Sequence, residues 1–559
     1  MIAKPDDELV FLPLGGSGEI GMNLNAYGYG PPHDRKWIIV DIGVTFGGAN
    51  EPGVDLITPD PEFLVGEKDN ILAIVLTHAH EDHIGAIRWL WPKLQAPVYA
   101  TPFTAALVIE KLKEGGLEKK VPLHVVPLKG ELTFGPFEIE FVTLTHSIPE
   151  PNGLKITTPL GVIFHTGDWK IDPDPQIGEA TDFAALDRMR AEGVLAMICD
   201  STNVFVEGHA GSEADVRAAL IEALKRFNGK VAITAFASNV ARVESAYVAA
   251  KAAGRDVCLV GRSMHKIVGA AKATGVLPAN LEFITEEQAN AAPDDKVLYL
   301  CTGSQGEERA ALSRIASGDN RRISLGEGDV VLFSSRVIPG NEAAIFSLYE
   351  KLTERGVQVF TDKDAPIHVS GHPCREELRQ MYGLVRPRIS VPVHGERRHI
   401  LEHVALAKEL QTPETIAPRN GDMIRLAPGA AEIIDEVPSG RLYVDGGLLI
   451  KAEDETMRER KKLAHDGAVT VTIVASAKKH NIIGGPEIRI VGLAGEDDHD
   501  LDQALEDLAE AAEKAYSNLN GHDRSDEDVA EEIISRAVRR AAERVWGKRP
   551  VVETVLMLV

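Results

Sequence analysis

The chain has 559 residues, a formal net charge of −24, 44% hydrophobic residues and 26% charged residues. That length exceeds a single core and implies roughly two to four domains. The composition is that of a globular protein with no apolar stretch near the ~18 residues of a membrane span. The acidic balance argues against coating nucleic acid through a broad basic surface, but a local grip on a phosphodiester stays open.

The opening segment MIAKPDDELVF carries acids where a secretory signal would need a basic start and an apolar run, so no export signal is visible and a cytoplasmic location is expected. Residues 1–200 read mainly as short β-rich runs, among them WIIVDIG, ILAIVLTHAH, FEIEFVTLTH, GVIFHTGD and VLAMICDS. IGAIRWLWPKL and TAALVIEKLKEGG read as helices between them. Several strands end in polar residues, which suits a sheet scaffold with its site along one edge. From 208 to 367 strands alternate with helices, starting at the capping residue Ser212, and this predicts a parallel sheet covered by helices. From 368 to 436 polar motifs and short strands return. VPSG and KAEDETMRERKK suggest a connector. Strands AVTVTIVAS and PEIRIVGL, helices over 499–518 and 525–546, and the terminal VVETVLMLV then predict a small α+β domain. Arg536, Arg539, Arg540 and Arg544 form a stripe on the second helix, best read as a solvated face. The four cysteines, Cys199, Cys258, Cys301 and Cys374, are scattered without a CxxC pair and read as reduced, buried thiols.

GSGEIG at 16–21 imitates a dinucleotide-binding fingerprint, with Asp41 twenty residues beyond Gly21. That site needs a helix opening at the glycines. MNLNAYGYGPP follows instead, so a tight turn between strands is the better account.

The strong signal is His78-Ala79-His80-Glu81-Asp82-His83. In extended backbone, residues i and i+2 point the same way, so His78 and His80 can approach one ion while Asp82 and His83 turn toward a second. Four more residues stand at strand ends: Asp41, His146, Asp168 and His394. Each alone reads as a hydrogen-bonded residue. Asp41 precedes His-x-His-x-Asp-His and the other three follow it in order, and together they complete a ligand set for two ions, zinc or manganese.

This series resembles the dinuclear metallo-β-lactamase fold. DSTN (200–203), TGSQGE (302–307), HVSGH (368–372) and PVHGE (392–396) extend the likeness to the β-CASP nucleases, and among them to the ribonuclease J family. The resemblance implies an α/β chain: a metallo-β-lactamase αββα sandwich (1–207 and 368–436), an inserted parallel-sheet β-CASP domain (208–367), a linker (437–457) and a small α+β C-terminal domain (458–559). It implies one metal on His78, His80 and His146, a second on Asp82, His83 and His394, and Asp168 bridging both. Zn2+ is the first expectation and Mn2+ the second, with Asp41 orienting a ligand histidine. Asp82 and Asp200 are implied as catalytic with His372. His368, Ser370, Gly371 and His372 are implied to bind a substrate phosphate.

Two ions at ~3.5–4 Å would activate water and clamp phosphate oxygens, with His372, supported by Asp200, donating the proton to the leaving oxygen or anchoring a phosphate. The family implies RNA cleavage, 5′→3′ from 5′-monophosphate ends and internally. The histidine at 394, where DNA-directed relatives usually carry valine, favours RNA. Single-stranded RNA is the implied partner, with a homodimer or homotetramer, RNA-decay partner proteins and no membrane. A glyoxalase-type thioesterase would not need the insertion, and a flavodiiron enzyme would need a flavin domain. A scaffolding subunit remains as the binding-only reading.

Overall fold

The computed structural model describes residues 3–48, 50–338, 340–495 and 498–559. Two compact units emerge, one running to Thr45 and from Thr58 to Arg441, the other comprising Phe46–Ile57 and Leu442–Val559.

The larger unit is built on two facing sheets. One runs Glu432–Glu436, Asp422–Ala427, Glu8–Gly15, Leu24–Gly30, Lys36–Val40, Ile71–Val75, Val98–Ala100 and Leu123–Val125 in spatial order. The other runs Glu131–Phe134, Phe137–Thr143, Asn152–Thr158, Gly161–His165, Val194–Asp200, Ile389–Val393 and Glu414–Thr415. Alternating apolar residues aim Phe11, Tyr27, Ile38 and Val75 at Phe141, Leu154, Ile163, Ile198 and Val391, all fully or almost fully buried. Each such side chain contributes about 1.5–3 kcal/mol by leaving water. Helices Phe183–Glu192, Arg375–Val385 and Arg397–Glu409 cover the second sheet's other face through Leu186, Met189, Leu378, Met381 and Leu406. Ile87–Leu94 and Pro102–Glu114 bury Leu90, Leu94, Phe103 and Val108 beside the first. This is the αββα sandwich expected from the motifs.

The chain leaves the second sheet at Asp200 and returns as Ile389–Val393, parallel to Val194–Asp200 and hydrogen-bonded to it from Ala196↔Ile389 to Asp200↔Val393. Between them lies a five-stranded parallel sheet, ordered Asp256–Val260, Val297–Cys301, Val231–Thr234, Val330–Phe333 and Gln358–Phe360. Apart from the exposed Asp256 and Gln358 at strand starts and the buried Thr234, its strands are apolar, as a sheet covered on both faces requires.

In the smaller unit Ala468–Ala475 is the central strand, antiparallel to Ile482–Val491 and parallel to Val551–Leu558. Helices Asp498–Ser517 and Glu527–Trp546 bury Leu508, Ala512, Ile534 and Val538 against it. The second begins at Glu527, two residues past the expected 525, behind its N-cap Asp526, whose carboxylate accepts from Val529 N–H. The stretch read as a connector is ordered. It holds strands Arg441–Asp445 and Leu448–Lys451 and a helix, Glu455–Asp466, capped by Asp454 and anchored by buried Met457. Its charge density concealed an amphipathic helix.

All four cysteines are free and buried. No helix among the described residues is long and apolar enough to cross a membrane.

Candidate metal centre

The cluster forms where both sheets present their polar strand ends. His78 to His83 follow the strand Ile71–Val75; His146 and Asp168 lie three residues beyond Phe137–Thr143 and Gly161–His165. His394 directly follows Ile389–Val393. The apolar run keeps each strand inside the sandwich, and the polar residues emerge where the pairing stops.

Two four-residue constellations result, His78, His80, His146 and Asp168 in one and Asp82, His83, Asp168 and His394 in the other, each with candidate ligand atoms within 4.8 Å of one another, and a smaller group of Asp200, His372 and His394 meets the same spacing. Asp168 belongs to both. In the first, His78 Nε2 and His146 Nε2 each lie 3.1 Å from His80 Nδ1. In the second, Asp168 Oδ2 is 3.2 Å from His83 Nε2 and 3.5 Å from His394 Nε2, while Asp82 Oδ2 is 3.6 Å and 3.7 Å from the same two nitrogens.

Hydrogen bonds on the far side of each ring decide what these nitrogens offer. The His146 Nδ1–H donates to the Gly371 carbonyl at 2.5 Å, and the His83 Nδ1–H donates to Asp41 Oδ2 at 2.7 Å. The His394 Nδ1–H donates to Asn23 Oδ1 at 3.0 Å. Thr77 Oγ1 donates to Asp41 at 2.8 Å and so accepts from His78 Nδ1–H at 3.0 Å. In His78, His146 and His394 the proton is held outside and Nε2 faces inward as a bare lone pair, while at His83 the outer proton goes to Asp41 and the Asn23 amide lies 3.1 Å from Nε2. One His80 proton cannot satisfy both neighbouring nitrogens, and bare nitrogens facing carboxylate oxygens repel them. A cation removes both conflicts. Zinc–nitrogen bonds of ~2.0–2.1 Å in a tetrahedral site place ligand atoms about 3.3 Å apart, close to the spacing here. The residues present fit divalent metal.

The electrostatics agree. Burial pushes His78 and His146 well below the ordinary imidazole value and His80 to about 4, so these rings stay neutral and available as donors. Burial would lower His83 too, but Asp168, Asp82 and Asp41 raise it well above its ordinary value. Burial works against ionised Asp168, yet His394 and His83 hold it well below the carboxylate range. The field that would keep a proton on His83 is one that a divalent cation neutralises.

The backbone is bent to serve the cluster. Asp41 and His394 adopt φ of +66° and +52°, a left-handed conformation costly for non-glycine residues and concentrated at functional sites. His394 N–H donates to Gly16 O, and Ser17–Gly18 pairs with Gly395–Glu396, so GSGEIG is a turn supporting the cluster, with no helix opening there. A Cβ on Gly16 would lie 2.4 Å from Asn23 Oδ1, so glycine lets Asn23 reach His394.

Beside the cluster, His372 Nδ1 lies 2.7 Å from Asp200 Oδ2. Burial alone would lower His372, but Asp200 lifts it to about 9. The Asn203 amide donates to Ser370 Oγ at 2.7 Å and to His372 O at 3.1 Å. A Cβ on Gly371 would come within 2.6 Å of Ser147 Oγ, so only glycine brings its carbonyl to His146. His368 belongs to neither constellation and interacts with the charges of Arg242 and Glu213, its Nδ1 buried without a hydrogen-bond partner among the described residues. Of the site residues singled out in the sequence, all but His368 are gathered here. Sequence reading missed Asn23, Thr77 and Asn203, short polar residues whose partners lie far along the chain.

Comparison with known proteins agrees with this architecture. "Ribonuclease J, beta-CASP domain" matches residues 228–352 and "Ribonuclease J C-terminal domain" residues 455–559. "Metallo-beta-lactamase superfamily" matches 24–194, and "Zn-dependent metallo-hydrolase RNA specificity domain" matches 365–418. Ribonuclease J of Sinorhizobium meliloti is 46% identical over 555 residues, covering 99% of this chain and 98% of that protein. Ribonuclease J of Mycolicibacterium smegmatis is 37% identical, covering 97% and 96%, and that of Thermus thermophilus 36%, covering 84% and 83%. A crystal structure of a protein of unknown function from Enterococcus faecalis shares the fold, with a TM-score of 0.52 at 16% identity over 75% of this chain and 100% of that one.

Proposed function

Since the chain belongs to the ribonuclease J family of metallo-β-lactamase and β-CASP hydrolases, we propose that this metal-dependent ribonuclease uses two divalent ions to cut single-stranded RNA from 5′-monophosphate ends and also internally. The observation that carries the reading is the pair of constellations sharing Asp168, with protons held on the outer ring nitrogens.

His78, His80 and His146 would hold one ion and Asp82, His83 and His394 the other, with Asp168 available to both. Zn2+ is the preferred occupant and Mn2+ the alternative. When bound, the ions supply activated water and charge neutralisation at the phosphodiester. Asp41 fixes His83 and, through Thr77, His78. Asn23 fixes His394, and its Nδ2 also lies 3.1 Å from His83 Nε2. The His372 Nδ1–H donates to Asp200, which leaves Nε2 to face the substrate and to pass a proton to the departing 3′ oxygen or hold a phosphate. Ser370, Gly371 and His368 line the place for a terminal 5′-phosphate, where hydrogen bonds to an anion discriminate it from a hydroxyl. The domain boundaries expected from the motifs, a cytoplasmic location, assembly into homodimers or homotetramers, and contact with RNA-decay proteins belong to the same reading.

The test uses purified protein stripped of metal, then supplied with Zn2+ or Mn2+, on 3′-labelled RNA with a 5′-monophosphate. Stepwise loss of 5′ nucleotides after metal addition, abolished in His80→Ala, is expected. Cleavage that is indifferent to metal and to His80→Ala would overturn the reading.

A further inference from the structure

Beneath the metal centre lies a second buried polar system, made of charged side chains from both the sandwich and the insertion. Lys170, Asp172, Glu213 and Arg242 are all at most 3% exposed. Lys170 Nζ contacts Asp172 Oδ2 at 3.0 Å and donates to Gly211 O at 3.1 Å. Asp172 Oδ2 accepts from the Glu213 backbone N–H at 2.9 Å, which fixes the crossover into the insertion. Glu213 and Arg242 then form a two-pronged pair, Nη2–Oε1 at 2.9 Å and Nε–Oε2 at 3.1 Å.

The rest of the Arg242 fork reaches the crossover back out. Nη1 donates to Ser334 O at 2.7 Å, to Ser334 Oγ at 2.6 Å and to Ile367 O at 3.2 Å. Ser334 Oγ donates to Ile367 O at 2.6 Å. Ile367 immediately precedes His368, and the Gly371 carbonyl four residues on holds His146. Lys170 stands two residues from Asp168. The chain of contacts therefore begins and ends at the metal centre, and Arg242 is the link joining both crossovers. From the sandwich side Asn203, Asp200 and His146 pin the 370–372 segment. From the insertion side Arg242 and Ser334 pin its start.

We propose that Arg242 is a positioning residue that sets the start of segment 368–372, ahead of the part held from the sandwich side, and so determines how well the enzyme discriminates a 5′-phosphate from a 5′-hydroxyl. This rests on the reading of that segment as the terminal-phosphate site. A planar fork spanning Glu213 and two carbonyls is a geometry that a lysine ammonium cannot reproduce. Arg242→Lys keeps the buried charge opposite Glu213 and releases the exit crossover. Ser334→Ala removes one hydroxyl and leaves the ion pair intact, so it decides the matter if Arg242→Lys does not fold.

The experiment compares wild type with both variants on RNA bearing a 5′-monophosphate, the same RNA with a 5′-hydroxyl, and a circular RNA. Calorimetric titration with adenosine 5′-monophosphate against adenosine gives a readout independent of turnover. The expected result is a KM for monophosphorylated RNA raised on the order of ten-fold, with kcat and circular-RNA cleavage within about two-fold of wild type. The preference of the variants for the nucleotide over the nucleoside should shrink by a similar factor. An unchanged phosphate preference in a folded variant overturns the proposal, as does an equal loss on all three RNAs, which would mark a merely structural role. If wild type itself ignores the 5′ group, the reading of the phosphate site falls and takes this inference with it; a discriminating wild type with discriminating variants removes only the inference.

Discussion

The metal cluster and the Arg242 chain are both buried, both rich in charge and both drawn from segments distant in sequence, yet their polar atoms are satisfied in opposite ways. Around Arg242, Nε and both Nη atoms find an oxygen within the protein, and Glu213 accepts from Arg242 and from Asn239. Around Asp168 the protons are directed outward and the lone pairs converge on a point where the protein supplies no donor to most of them. Burial makes an unmet polar group expensive. A cluster that is satisfied internally is therefore a structural link, and one whose unmet atoms all point inward is built for something that is added. The density of charge does not distinguish the two regions; the direction of their protons does.

That contrast breaks first where the added component is held. Asp168→Asn removes the carboxylate shared by both constellations and is expected to lower cleavage about a thousand-fold or more, since each tenfold costs about 1.4 kcal/mol and the ions supply several. Its melting temperature should stay near that of wild type, because the cluster's geometry does not depend on satisfying itself. If Asp168→Asn unfolds the protein, the distinction is wrong.

The next largest effect is expected at Glu213→Gln, which leaves the fully buried Arg242 without its counter-charge and should cost about 3–5 kcal/mol of stability by chemical denaturation. Burial pushes the Glu213 carboxyl up, but Arg242 holds it below its ordinary value of 4.5. A carboxylate whose folded value is depressed stabilises the fold above the unfolded value and loses that contribution as pH falls through the folded one. Wild type should therefore lose stability steeply below about pH 4.5, and Glu213→Gln should show a shallower acid slope.

Asp41→Asn sharpens the comparison, because it disturbs the outer partners of two candidate ligands without touching the ion. A 10–100-fold loss of metal affinity is expected, measured by competition with a chelator. The smallest effect belongs to a satisfied network elsewhere in the sandwich. Tyr382 Oη lies 2.5 Å from Ser390 Oγ and 3.0 Å from His403 Nε2, so Tyr382→Phe should cost about 1 kcal/mol of stability and leave cleavage unchanged.

Much of this was readable before any coordinates. Strands and helices declared themselves through apolar runs and caps, and His78 to His83 stood out because so many imidazoles and carboxylates at a strand end have few other uses. The supporting residues were not readable. Asn23 holds His394 across 371 positions and Arg242 reaches Ile367 across 125, and nothing local in either stretch signals the partner. The glycines at 16–21 have the spacing of a nucleotide loop, but the non-helical stretch after them already pointed to a turn, and their task is to admit Asn23 and seat His394. The stretch KAEDETMRERKK read as a connector because one buried methionine is too faint a stripe to announce a helix.

The central claim is that the inward-facing lone pairs around Asp168 hold a pair of cations. Anomalous diffraction at the zinc or manganese edge, on crystals soaked in the metal, tests it most directly. The expected map has two peaks about 3.5–4 Å apart, one among His78, His80 and His146, the other among Asp82, His83 and His394, with Asp168 between them. A map without a peak at either constellation, at full soaking concentration and neutral pH, would contradict it.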